Sequence, residues 1–209
     1  PAIAAGELTL ALAIDESRHH EPQAVALSAI KTPDGFRLNG KKLGVVDGHS
    51  AEKLIVAART GGDAGDKEGV SLFLVDAKAS GLDFLRTSTV DSRSVTAIHF
   101  DDTNVPADSL LGSENEGFVA LSSVLDIGNA HLAAELLGIA NESFDRTLQY
   151  LKQRKQFGSM IGSFQALQHR AAHWWSEIEL CKSIVLKSLS AIDEGDFRSP
   201  RLASIAKAK

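Results

Sequence analysis

The feature that most constrains this chain is the stretch from Leu148 to Gln168, LQYLKQRKQFGSMIGSFQALQ, where two long amphipathic patterns meet at a short basic, glycine-containing turn. Upstream, apolar or small residues recur at Leu121, Leu125, Gly128, Leu132, Leu136, Ile139 and Ser143, with a second flank at Ala133, Leu137, Ala140, Phe144, Leu148 and Leu151. That spacing predicts a helix packed on two sides. Downstream, Leu167, Ala171, Trp174, Ile178, Cys181, Val185, Leu189 and Ile192 step by three and four, the stripe of a bundle helix. Trp175 lies about 100° from Trp174 on such a helix and is expected to face another element or subunit. Gly158 and Gly162 let the chain turn, and Ser163 is expected to cap the second helix. Arg154, Lys155 and Gln156 then sit at one helix end beside the N-terminus of the next. Such an arrangement suits a phosphate or pyrophosphate, or simply complements the dipole of the first helix.

Before this helical half, short runs rich in Val, Ile, Leu and Phe alternate with turn chemistry: ELTLALAI, AVALSAIK, FRLNGKKLGVV, KLIVAAR, VSLFLVD and VTAIHF. Pro33-Asp34-Gly35 and Asn39-Gly40 read as tight turns, so antiparallel hairpins are expected. Gly61 to Gly69 reads as a solvated loop. The class is α+β: an antiparallel barrel- or sandwich-like β-domain over residues 1–112, then the first helices of a four-helix-bundle type domain over 113–209, with a linker at 105–117. Ser199-Pro200 announces a further helix shortly before Lys209, and Pro1 is no initiator Met, so a truncated chain is expected.

A net charge of −5 without a basic, aromatic-laced stripe argues against nucleic acid. No apolar run is read as a membrane span, and no secretory leader is recognised. The single Cys181 fits a buried small hydrophobe in a reducing compartment, so a cytoplasmic protein is expected. Arg18-His19-His20-Glu21 lacks a third fixed ligand, and no metal site is expected. The glycine patterns of Rossmann and P-loop sites are missing from their strand-to-helix context.

The string RKQFG, an Ile-Gly step and FQALQ resemble the acyl-CoA dehydrogenase family, and the likeness runs along essentially the whole chain as a middle β-domain plus the start of a C-terminal helical domain. The resemblance implies FAD as cofactor, with Arg154 reaching its pyrophosphate in a neighbouring subunit and Gln156, Phe157, Phe164 and Gln165 around the same dinucleotide. It also implies an acyl-CoA substrate, an electron-transfer flavoprotein as electron acceptor, and a homo- or hetero-oligomer arranged as a dimer of dimers. LNGKK and the following DGHSAEKLIVAART resemble the hairpin beside the flavin ring, where Gly44-Val45-Val46 replaces a Trp-Ile-Thr pattern, leaving backbone at Val45 and Val46 to meet the ring. Asp15 stands where the family has a hydroxyl, and an ionised carboxylate there repels a reduced, anionic flavin unless it points away.

Desaturating an acyl thioester needs a carboxylate to take the α-proton. Some family members place it at the position of Gly128, beside an Arg at the position of Asn129; others take it from a segment beyond Lys209. By resemblance Asp126 and Asn129 fall in the substrate-binding stretch. Glu135 is more simply a surface acid. Two readings follow: an FAD-dependent acyl-CoA dehydrogenase represented by an incomplete chain that is inactive alone, or a non-catalytic, half-site subunit of a hetero-oligomer. A flavin-free scaffold of the same fold is the remaining alternative.

Overall fold

The computed structural model describes residues 2–209, which divide into two compact units between Leu121 and Ser122. The first unit holds β1 (Leu10–Ala13), β2 (Ser28–Thr32), β3 (Gly35–Val46), β4 (Lys53–Arg59), β5 (Val70–Asp76), β6 (Leu82–Ser88), β7 (Ser94–Pro106) and β8 (Leu110–Leu111). They form one sheet in the order β6-β7-β3-β2-β4-β5-β8, with β1 against β4. The path ends at β6 and β8 without closing, so the α+β class holds while the barrel does not. Nor is the sheet wholly antiparallel: β1 runs parallel to β4 in the register Leu10↔Lys53 to Ala13↔Val56.

Inward residues of both halves of the sheet make its core. Leu38, Leu54, Val56 and Ile98 are fully buried, and Phe36 meets Phe73 edge-on at 4.9 Å between centroids. Pro33-Asp34 is the two-residue turn joining β2 to β3, as its chemistry requires. Asn39-Gly40, read as a second turn, instead lies inside β3. Its amide is spent across the ladder: Asn39 Nδ2 donates to Asp102 Oδ1 and Asp102 N donates to Asn39 Oδ1, both at 2.9 Å, beside a bulge in β7.

Residues 24–27 are not a strand either. Val25 and Leu27 are buried, but the N–H groups of Ala26 and Leu27 are taken by the Glu16 carboxylate rather than by a neighbouring strand. The glycine-rich loop is also more ordered than its composition implies. The buried Arg59 guanidinium donates to the carbonyls of Val25, Glu68 and Asp66 at 2.7 to 3.0 Å, so the loop is tied to the sheet by its own backbone.

In the second unit, α1 (Gly117–Gln153) arrives from the first and ends at a small hairpin of β9 (Lys155–Gln156) and β10 (Ser159–Met160); α2 (Gln165–Asp193) and α3 (Ser199–Ala208) follow. Ala133 of α1, Val185 of α2 and Ala206 of α3 share a core, and Phe144 packs edge-on against Trp174 at 5.4 Å. Trp174 is half-buried and Trp175 is 54% exposed, the division the helical phase demands. Much of α1 lies open: Leu132, Leu136 and Ile139 form an exposed apolar stripe. Contrary to the expectation from sequence, α1 contains an 18-residue window as long and apolar as a membrane span. Its contacts with α2 and α3 give it a bundle role in this structure.

Ser163 does not cap α2. Its hydroxyl donates to Met160 O at 2.7 Å, and Phe164, extended at φ −78°, holds the cap position. The α2–α3 turn is held by Asp196, which accepts from the Arg198 backbone N–H and guanidinium and is thereby lowered to about 2. A carboxyl depressed on folding contributes stability above its unfolded pKa and loses it as pH falls through the folded one. An NMR titration is expected to place the Asp196 midpoint near 2, and Arg198→Ala is expected to move it up toward the ordinary aspartate range.

Candidate functional site

The hairpin between α1 and α2 gathers the sequence-predicted residues Arg154, Gln156, Phe157, Phe164 and Gln165. Gln156 pairs with Ser159 and Lys155 with Met160, leaving Phe157 and Gly158 as a two-residue loop. Both have positive φ, 53° and 79°, the signature of a type I′ turn. Glycine adopts that conformation freely, whereas a bulky aromatic resists it by about 1–2 kcal/mol. Yet Phe157 is 93% exposed, its ring touching Phe164 edge-on at 6.3 Å between centroids. Backbone strain of this kind clusters at ligand-binding sites. Phe157→Gly is therefore expected to raise stability by about 1 kcal/mol, read as a higher midpoint in urea, while weakening any flat-ring ligand held there.

The Arg154 backbone is fixed, its N–H donating to Tyr150 O and its carbonyl accepting from Ile161 N, each at 2.9 Å. Its guanidinium is exposed and forms no ion pair among the described residues. Gln156 and Gln165 are exposed as well. Two unpaired cations, Arg154 and Lys155, two exposed rings and two amides thus lie along one short stretch of chain, a donor set that fits a phosphate joined to an aromatic ring system.

In the sheet unit, Asp15 points away from open solvent into its own loop. It accepts from the Glu21 backbone N–H at 3.1 Å and faces His20 Nδ1 at 2.8 Å. The carboxylate predicted to oppose a flavin is therefore already engaged. Val45 is buried in the core and offers no side chain to a ligand, whereas Val46, opposite Val95 on β7, is half exposed. Between them and Lys42 the strand bulges at Leu43-Gly44, and Gly44 has φ 65°. That conformation explains a glycine where the resemblance calls for tryptophan.

On α1, Asp126 is half-buried, and burial raises its pKa above the usual aspartate value. Asn129, one turn on, accepts from Lys207 Nζ of α3 at 3.0 Å. Gly128 faces open space, with nothing within 4 Å of where a Cβ would stand. Among the described residues no group of three metal-ligating side chains converges.

The family model for the C-terminal domain of acyl-CoA dehydrogenases matches residues 115–209, the segment that carries this hairpin and all three helices. The chain belongs to the acyl-CoA dehydrogenase family. It is 37% identical over 165 residues to a probable acyl-CoA dehydrogenase of Bacillus subtilis, covering 77% of this chain and 43% of that protein. It is 28% identical over 209 residues to the caffeyl-CoA reductase-Etf complex subunit CarC of Acetobacterium woodii, covering 98% of this chain and 55% of the other. The solved structure of butyryl-CoA dehydrogenase from Megasphaera elsdenii superposes with a TM-score of 0.89 at 28% identity, over 98% of this chain and 54% of that one. The chain thus spans about half the length of the relatives it matches.

Two features of this family member escaped sequence reasoning. One is the strained turn at Phe157, because RKQFG carries no Asn-Gly or Asp-Gly signal for positive φ. The other is the buried pair of Lys42 and Glu16, whose Nζ and Oε1 lie 2.7 Å apart. Its signal was available: Lys42 follows Phe36 and Leu38 at even spacing along β3, on the face that points inward.

Proposed function

We propose that this chain works in an FAD-dependent acyl-CoA dehydrogenase that desaturates an acyl-CoA thioester between its α and β carbons. The observation that carries the reading is the unpaired Arg154 beside the strained, exposed Phe157 and its partner Phe164. FAD, when bound, supplies the acceptor for the β-hydride. Arg154 would hold a phosphate oxygen of its pyrophosphate by charge-assisted hydrogen bonds, Phe157 and Phe164 would pack against its flat rings and exclude water, and Gln156 and Gln165 would donate to its polar edges. In the sheet unit, backbone at Val45 and Val46 would border the flavin. Asp126 and Asn129 would lie along the acyl-CoA.

A second reading, a half-site subunit that lends Arg154 to a partner's flavin, is favoured by a specific observation. Position 128 carries glycine facing open space, so α1 offers no carboxylate where some family members keep the base. Both readings include self-association or pairing with a homologous subunit through the exposed stripe of α1 and Trp175. Both also include electron transfer to an electron-transfer flavoprotein, acyl-CoA β-oxidation as setting and the cytoplasm as location. The relative from Acetobacterium woodii, a subunit of a reductase-Etf complex, supports the flavoprotein partner.

The chain alone is expected to give no enoyl-CoA with acyl-CoA and an artificial electron acceptor. Co-expression with a homologous subunit is expected to yield a yellow, flavin-loaded oligomer by absorbance and sedimentation. Turnover by the isolated chain would remove the half-site reading; a colourless monomer under both conditions would remove the flavin reading altogether.

A further inference from the structure

Lys42 is among the largest fully buried side chains of the described residues, and none of the chemistry above uses it. Its ammonium donates to the Ile14 carbonyl and to Glu16 Oε1, each at 2.7 Å. Glu16 in turn accepts from Ala26 N at 3.0 Å and from Leu27 N at 2.9 Å. One residue beyond Lys42, Leu43 N donates to Asp15 O at 2.7 Å, where the β3 bulge begins. Three segments therefore meet on one ion pair: the end of β1, the approach to β2, and the bulged end of β3 that continues to Val45 and Val46.

A buried ion pair is a poor source of net stability, since desolvation of two charges offsets most of their attraction. Apolar residues of like volume would hold β1, β2 and β3 together as well. What an ion pair adds is direction, because each charge accepts only partners at hydrogen-bond geometry. Here those partners are backbone groups of the segment running from Ile14 to Leu27. That segment also contains Asp15, whose carboxylate is turned back onto Glu21 N and His20.

We propose that the Lys42–Glu16 pair is a positioning device: it registers the 14–27 segment against the β3 bulge so that the sheet presents Val46 and backbone to a flavin, with the Asp15 carboxylate held aside. This rests on the flavin reading of the sheet unit. Lys42 and Glu16 act through the backbone they hold and touch no reacting atom.

The test removes both charges together, Lys42→Met with Glu16→Gln, so that no charge is left unpaired. Glutamine keeps one oxygen to accept from Ala26 or Leu27. Hydrogen exchange is followed at the amides of Ala26, Leu27 and Leu43 in this chain, and FAD affinity and the flavin absorption band are measured in the full-length, partner-complemented protein. The expected result is an unfolding midpoint lowered less than by Lys42→Met alone, protection at the three amides reduced about tenfold or more, and FAD affinity reduced about tenfold with a shifted band. A purely structural role would leave the band unmoved. Wild-type exchange and wild-type flavin affinity in a folded double variant would overturn the proposal. Should the double variant not fold, Lys42→Gln with Glu16→Gln, which also leaves no charge unpaired, is measured in the same way and carries the same two outcomes. If the wild-type protein holds no flavin, the flavin reading falls, and unchanged or increased exchange at the three amides then overturns or upholds the registering role.

Discussion

Lys42→Met is expected to destabilise the chain by about 3 kcal/mol, the lower end of what removing one partner from a buried ion pair costs. Methionine matches lysine closely in length and volume, so no large cavity opens. The loss comes from what is left behind: a Glu16 carboxylate without its cation and an Ile14 carbonyl without its donor. Glu16 keeps 14% of its side-chain surface in solvent, which is why the lower end applies. Urea denaturation checks it, and a loss below about 1 kcal/mol would mean that the charge is not held as described. The pH dependence has a definite sign. Burial lowers the Lys42 pKa below its ordinary 10.5, against the opposing pull of Glu16. Between the folded and unfolded values the unfolded chain binds more protons, so this group's contribution rises with pH across that window and falls away as pH drops through the folded value. Lys42→Met is expected to flatten that slope.

That the strongest effect falls on Lys42 bears on how much of this molecule its sequence discloses. Strands that alternate and helices that step by three and four were legible, because burial of one face dictates both periods. Hence β3, β4, β5 and the two long helices α1 and α2 lie where the pattern places them. β6 was not legible. It is an edge strand whose inward face is only Leu82 and Phe84, while Leu85 is exposed and Arg86 to Ser88 are polar, so the alternation is too short to read. Asn39-Gly40 carried a true local preference that tertiary pairing overrode: a side-chain amide able to bridge to Asp102 replaced a turn with a straight strand. Ser163 had capping chemistry, but the helix begins one residue later than that chemistry implies: Phe164 holds the cap position, and the Ser163 hydroxyl donates back to Met160 O.

The candidate site divides along the same line. Arg154, Phe157 and Phe164 were readable as a string, whereas their geometry was not, because positive φ at a phenylalanine is imposed by the two-residue hairpin around it. Asp15 was readable as a conflict with a bound anion. Its resolution, a carboxylate turned onto Glu21 N and His20, depends on a loop whose course is set by a lysine 27 residues away in the sequence. Long-range polar pairs leave no period behind them, and only the inward phase of Lys42 on β3 hinted at one.

Arg154→Ala is expected to weaken FAD retention in the full-length or partner-complemented protein by about 1.5 to 3 kcal/mol, the scale of a charge-assisted hydrogen bond to phosphate. In dissociation constants that is roughly 10- to 150-fold. The competing account makes Arg154 a cation complementing the C-terminal dipole of α1, worth about 0.3–1 kcal/mol of helix stability and nothing to a ligand. The structure separates the two. Both backbone bonds of Arg154, its N–H to Tyr150 and its carbonyl from Ile161, survive in alanine, so the hairpin should keep its shape and only the guanidinium is lost. No carboxylate is ion-paired with that guanidinium, so its removal strands no partner within the described chain. Arg154→Lys sharpens the distinction, since lysine restores the charge for a dipole but not the planar fork that grips two phosphate oxygens. A dipole role predicts full recovery in the lysine variant and unchanged flavin affinity throughout. A phosphate role predicts partial recovery, with stability nearly constant across the series and affinity falling in the order Arg, Lys, Ala. Equal FAD affinity in all three, in an assembly that still forms, would return Arg154 to the status of a helix-end cation.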